Sequence, residues 1–210
     1  MQPGDLVFTV ARDDDPLATS VPRKLIGLGQ RLKAAFLSED KPGAPIVHVA
    51  LAINNNHVVE SVGGGVALTN LVEDKRNAMV FTCKDRSLAD AAAYVAKQFF
   101  VDASTGEING EYSLLKAMRS TSESSSYDPG LEARINASVD IGAASFCSEF
   151  VANAYEVGNL YTSAIIIPPP PVVFFAHPKT LNPWQLADFC ESNQRFSCTG
   201  FWEQGEEVTF

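Results

Sequence analysis

A thiol, an imidazole and a carboxylate in this chain have the types and surroundings that acyl-transfer chemistry needs. Cys147 lies in Ser145-Phe146-Cys147-Ser148-Glu149-Phe150-Val151. Ser145 reads as an N-cap, and Phe150, Val151, Ala154 and Tyr155 then recur at helical spacing up to Gly158, a residue suited to ending a helix. Cys147 therefore falls in the first turn, where unpaired N–H groups and the positive end of the helix dipole favour thiolate over thiol and can hold an oxyanion. A buried structural cysteine is the commoner meaning of a lone Cys. What raises the catalytic meaning is a base within reach and a group to orient that base.

His48 and Glu60 fill those roles if one turn has the right length. Ile46-Val47-His48-Val49-Ala50-Leu51-Ala52-Ile53 is an apolar, β-branched run of strand length, Asn54-Asn55-Asn56 is a strong turn, and His57-Val58-Val59-Glu60-Ser61-Val62 reads as the returning strand of a hairpin. A three-residue loop sets Ile53 opposite His57 and Glu60 opposite Ala50. Glu60 then shares a sheet face with His48 as a diagonal neighbour, about 7–8 Å away at Cα and closer at the side-chain tips. A two-residue loop would put the two on opposite faces. A histidine in an apolar strand is by itself most often a satisfied core residue. An ionisable group between Val59 and Val62 needs a stronger reason, and a carboxylate that fixes the tautomer of a neighbouring imidazole supplies one.

The elements that must position these groups can be read in order. Pro3-Gly4-Asp5 is a turn before the strand Leu6–Val10. Residues 22–37 have an apolar helical stripe with Arg23, Lys24, Arg31 and Lys33 around it, either a solvated basic face or a dock for an anionic surface. Gly63-Gly64-Gly65 is a flexible turn with no lysine to make it a phosphate loop. Residues 78–83 read as a strand, and Ser87-Leu88-Ala89-Asp90 opens a helix with Leu88, Ala91, Ala92, Val95 and Phe99 on its apolar face. Residues 119–130, rich in serine with Pro129-Gly130, read as a mobile surface loop. Four prolines enforce an extended path in 165–175, whose apolar flanks either pack on the core or line a groove. Asn182-Pro183-Trp184-Gln185 is an N-cap with proline at the first helical position, and the aromatic tail from Phe189 packs back on the domain.

The chain has 210 residues, 46% hydrophobic and 20% charged, enough for one domain over 1–210 with a sizeable core. The net charge of −9 argues against nucleic acid as a partner. No apolar run suits an integral membrane segment, although peripheral lipid contact through the basic helix stays open. The polar start lacks a signal-peptide pattern, so synthesis in the cytoplasm is expected, with export by a signal-independent route left open. Four cysteines at this length are not a disulfide scaffold, and spacing alone does not decide whether Cys190 and Cys198 pair. His177 with Cys190 and Cys198 lacks zinc-site spacing, and the chemistry needs neither metal nor cofactor.

Gly4-Asp5-Leu6-Val7, His48-Val49-Ala50-Leu51-Ala52-Ile53, Val58-Val59-Glu60-Ser61, Tyr112 and Phe146-Cys147-Ser148-Glu149-Phe150-Val151 together resemble the circularly permuted branch of the NlpC-type papain-like cysteine peptidases, a group related to lecithin retinol acyltransferase. Ordinary members run cysteine, histidine, polar residue; this chain runs His48, Glu60, Cys147, which the same three-dimensional site allows because geometry defines it and not order. The resemblance spans most of residues 1–160 in scattered motifs. It implies an α+β, permuted papain-like fold: a central antiparallel sheet packed against helices, with the nucleophile at a helix N-terminus. Cys147 would be the nucleophile, His48 the base and Glu60 its orienter, with Tyr112 near the nucleophile as a hydrogen-bond donor. The basic helix near 22–37 and the loop near 119–130 would be additions to the minimal domain. The implied activity is amide hydrolysis in cell-wall peptides, in an effector or toxin if the protein reaches a neighbouring cell; delivery or immunity partners are not readable. Two other readings stay open, a lipid acyltransferase or thioesterase and a non-catalytic binding module on the same fold.

Overall fold

The computed structural model describes residues 1–10, 46–62, 65–105, 147–163, 171–174 and 182–209. Segment 22–37, Tyr112, the loop 119–130, Ser145, most of 165–175 and His177 lie outside them. The described elements run β1 (Leu6–Val10), β2 (Ile46–Ala52), β3 (His57–Val62), β4 (Gly65–Asn70), α1 (Leu71–Asp74), β5 (Asn77–Cys83), α2 (Arg86–Thr105), α3 (Cys147–Thr162), α4 (Pro183–Ser192), β6 (Phe196–Glu203) and β7 (Glu206–Thr209). The fold is α+β. All seven strands form one antiparallel sheet in the order β4-β3-β2-β1-β5-β6-β7, packed against helices. No described helix is long and apolar enough to cross a membrane.

The two-residue period of the strands divides their apolar side chains between two faces. Leu6, Phe8, Val49, Leu51, Val59, Met79 and Phe81 join the main core, where Leu88, Ala92 and Val95 of α2 and Phe150, Val151 and Tyr155 of α3 meet them. Val7, Ala50, Ala52, Val58, Ala78, Val80 and Trp202 form a smaller cluster on the opposite face. Among the described helices α3 is the most enclosed: every residue from Ser148 to Gly158 is buried. Each Leu, Val or Phe fully removed from water contributes roughly 1.5–3 kcal/mol, so packing rather than helix propensity holds α3 in place.

The polar groups of α3 are spent on tying segments to it. Tyr155 donates its hydroxyl to the Gly4 carbonyl before β1, and Glu156 accepts the backbone N–H groups of Val173 (2.7 Å) and Phe174 (3.2 Å). Val173 and Phe174 are buried, so this end of the proline-rich stretch packs on the core.

Three local expectations are corrected. Gly158 does not end its helix, which continues to Thr162. Its role is a close helix crossing: a Cβ there would lie 2.8 Å from the Ala92 nitrogen of α2. The cap of α2 is Asp85, whose Oδ1 accepts from the Leu88 N–H at 3.2 Å, and not Ser87. The tail is two sheet strands and not only packed aromatics, because β6 continues the β5 edge from Cys83↔Phe196 to Ala78↔Trp202. The N-cap at Asn182 is as read, and it is half of a full capping box: its side chain accepts from Gln185 N–H (2.8 Å) and Gln185 returns the bond (3.0 Å).

Candidate active site

The turn between β2 and β3 has the odd length on which the site depends. Leu51 pairs with Val59, Ala52 with Val58, and Ile53 N–H donates to the His57 carbonyl at 3.0 Å. Asn54 Oδ1 closes the turn by accepting from the backbone N–H groups of Asn56 and His57. His48 and Glu60 consequently lie on one sheet face, that of Ala50 and Val58, and His48 Nε2 meets Glu60 Oε2 at 2.7 Å.

Two departures from a regular sheet open this end of β2. Thr9 of β1 faces His48 but Val10 faces Ile46, so Val47 is an extra residue, a β-bulge next to the histidine. On the other side, the β2–β3 ladder covers Leu51↔Val59 and Ala52↔Val58 and, among the described residues, does not continue toward Ile46. The Val49 N–H, released from strand pairing, donates to the Cys147 sulfur, which enters from the first turn of α3 on the helix-covered side. Cys147 also hydrogen-bonds the His48 ring. With Nε2 on Glu60, Nδ1 is the ring nitrogen left to exchange a proton with the thiol.

Glu60 is the hub of a wider network. It is 2% exposed and accepts four donors: His48 Nε2, Arg76 Nη1 (2.6 Å, to Oε2), Arg76 Nη2 (2.9 Å, to Oε1) and the Thr69 hydroxyl. Arg76 Nε in turn meets Asp74. Arg76 escaped the sequence reading. It follows Lys75 just after α1, 16 positions from Glu60, and no periodic pattern links the two. The signal that could have found it is the buried glutamate itself, which demands a cation. α1 aims it: Asn70 caps the helix, and Lys75 ends it in the left-handed region (φ 56°) with its N–H on the Leu71 carbonyl, delivering Arg76 beneath β3.

The electrostatics follow. For Cys147, burial opposes ionisation, but the His48 ring and the backbone N–H groups of Val49 and Ser148 outweigh it and lower the thiol pKa. For His48, burial alone would lower the pKa; the bonds to Cys147 and Glu60 push it up to about 9. Burial would raise Glu60, yet His48, Arg76 and Thr69 hold it down at about 2. The arrangement favours a thiolate–imidazolium pair, braced by an ionised carboxylate. Burial pushes the other thiols, Cys83, Cys190 and Cys198, the opposite way, and all four cysteines are free, so Cys190 and Cys198 do not pair.

These shifts link the site to stability. His48 binds its proton more tightly folded than unfolded, so its contribution is full below about 6.5 and is lost as pH rises through about 9. Glu60 is the reverse: its contribution is full above 4.5 and is lost as pH falls through about 2. The stability gap between the wild type and Glu60→Gln is therefore expected to be widest between pH 4.5 and 6.5 and to narrow above pH 9, without vanishing, because the Arg76 partnership persists there. Urea unfolding at pH 5.5, 7.5 and 9.5 checks this; a gap that widens with pH contradicts it.

The chain matches no protein-family profile, no curated protein and no solved structure.

Proposed function

We propose that this protein is a thiol hydrolase of the permuted, papain-like NlpC type that cleaves amide bonds, with bacterial cell-wall peptides as its substrate class. The observation that carries the reading is the double engagement of one ring: His48 bonds a helix-N-terminal thiol and a buried carboxylate at once. Three chain segments converge to make that contact, and no packing requirement needs a thiol, an imidazole and a carboxylate in series.

The reaction needs no outside reagent but water. The Cys147 thiolate attacks the amide carbonyl carbon, forming C–S while the oxygen becomes an oxyanion, for which the Cys147 backbone N–H at the start of α3 is the candidate donor. Collapse breaks C–N, and the proton on His48 Nδ1 passes to the departing nitrogen. His48, now neutral, takes a proton from water as the hydroxide adds to the thioester; the C–S bond then breaks, the carboxylic acid product departs, and the thiolate is left beside the protonated His48, which restores the starting pair. Glu60 stays ionised throughout and fixes the ring by accepting from Nε2.

The test is direct. Cell-wall sacculi are incubated with the protein and with Cys147→Ala, and the released fragments are weighed by mass spectrometry. Release that requires the thiol is expected, and the masses name the bond. No release from a folded protein whose Cys147 alkylates readily would reject the wall-peptide substrate and favour a lipid acyl or thioester one. A slow, ordinary thiol would favour a binding module.

A further inference from the structure

We propose that Arg76 is a positioning residue of this site: by gripping both oxygens of Glu60 it keeps that group a carboxylate and keeps it turned on His48, so that the ring's other nitrogen is free to take the Cys147 proton. The inference rests on the reading of Cys147 as nucleophile and His48 as its base.

The geometry separates this role from that of an ordinary stabilising ion pair. Arg76 does not merely lie near Glu60. Its two terminal nitrogens engage the two oxygens at 2.6 and 2.9 Å, the bidentate arrangement that fixes a carboxylate in plane as well as in place. The oxygen bound at 2.6 Å, Oε2, is also the one that meets His48 Nε2 at 2.7 Å. A cation on that same oxygen makes it a poor place for the imidazole proton to settle, so the proton stays on Nε2. Without the cation, a carboxyl group 2% exposed drifts toward its neutral form, because burial penalises the charge. A neutral acid beside a neutral imidazole does not sustain an imidazolium, and the thiol keeps its proton.

The clamp is itself clamped. Asp74 of α1 holds Arg76 Nε, Thr9 Oγ1 lies 3.5 Å from Nη1, and the Arg76 side chain is only 14% exposed, so the guanidinium has little freedom to leave. Among the described residues, the charged or titratable groups that face Glu60 are His48 from β2 and Arg76 from the α1–β5 connection, with Asp74 behind Arg76; the one facing Cys147 is His48.

Alkylation of Cys147 by iodoacetamide tests the inference without any substrate. The rate at Cys147 is followed by peptide mass spectrometry from pH 4 to 10 in the wild type, Glu60→Gln, Arg76→Gln and Arg76→Lys. A low midpoint is expected in the wild type, raised by about one pH unit or more in Arg76→Gln, the scale on which one close charge moves a titration, and raised by less in Arg76→Lys, which keeps the charge and loses the fork. A midpoint unmoved in Arg76→Gln but raised in Glu60→Gln reduces Arg76 to a structural ion pair and overturns the inference while leaving the site reading intact. An ordinary thiol midpoint in the wild type, indifferent to Glu60→Gln, overturns both. Should Arg76→Gln fail to fold, Arg76→Lys decides: a midpoint equal to the wild type's, with the fork gone, removes the bidentate grip from the account.

Discussion

Replacing His48 by alanine is expected to lower kcat/KM on wall peptides by about 10⁴-fold or more, and adding Cys147→Ala to it is expected to cost almost nothing further. The size follows from how much passes through one ring. In the proposed mechanism His48 stabilises the attacking thiolate, protonates the departing nitrogen and then activates water, and its two nitrogens are each committed, one to Glu60 and one to the thiol. Removing it returns Cys147 to a half-buried thiol whose surroundings otherwise disfavour charge, since desolvation is the largest influence on it and only the backbone N–H groups of Val49 and Ser148 remain to oppose that. The non-additivity is the sharper test: residues that act as a unit lose the unit's work once. Steady-state rates of the single and double variants on a purified wall peptide measure it. A His48→Ala protein within tenfold of the wild type, or a double variant far below both singles, would remove His48 from the mechanism.

Gly4→Ala is expected to lower the stability of the fold by about 3 kcal/mol, combining a left-handed backbone cost of roughly 1–2 kcal/mol with overpacking of roughly 1–3 kcal/mol. Gly4 has φ +81°, and a Cβ there would lie 2.2 Å from the Ala89 carbonyl oxygen of α2. That neighbour is backbone inside a helix and has no flexible end to move aside. The residue also anchors a helix and a strand, because its carbonyl accepts the buried Tyr155 hydroxyl of α3 and its N–H donates to the Ala52 carbonyl of β2 at 2.8 Å. For a chain of this size the change corresponds to a fall in Tm of roughly 6–12 °C. Thermal unfolding followed by circular dichroism reads it, and a shift under about 2 °C would mean that α2 yields more easily than its packing implies.

Local chemistry was legible where neighbours in sequence are neighbours in space. The asparagine turn 54–56 fixes its own length through the Asn54 side chain, so the facing of His48 and Glu60 follows from counting residues. The helix opened by Cys147 announces itself by the spacing of Phe150, Val151, Ala154 and Tyr155. What stayed hidden depends on contacts between distant segments. β6 does not alternate: Gly200, Phe201 and Trp202 are buried in succession, and the pairing with β5 slips between Val80 and Phe81, so no two-residue period marks it as a strand. β4 has no fully buried residue and follows a glycine run, and it is a strand because β3 pairs with it along its whole length. Gly158 carries two meanings, helix end and helix crossing, and only the presence of Ala92 against it selects the second. Arg76 is of the same kind, a single cation whose purpose is invisible until Glu60 is folded over it.

The enclosure of α3 has a mechanical consequence. A nucleophile on a loop can be advanced or withdrawn by a local hinge, whereas Cys147 is fixed to a helix whose next eleven residues, Ser148 to Gly158, are all inside the protein and whose flank meets α2 through a glycine with no slack. Sliding the helix by even an ångström to carry the sulfur would drag Phe150, Val151 and Tyr155 out of their packing, and close-packed interiors shift between discrete arrangements rather than yield continuously. In the proposed reaction the backbone that carries the sulfur is therefore the stationary member. Whatever governs when this site works must act on the arrival of the carbonyl, by admitting or blocking it, and not on the reach of the thiol.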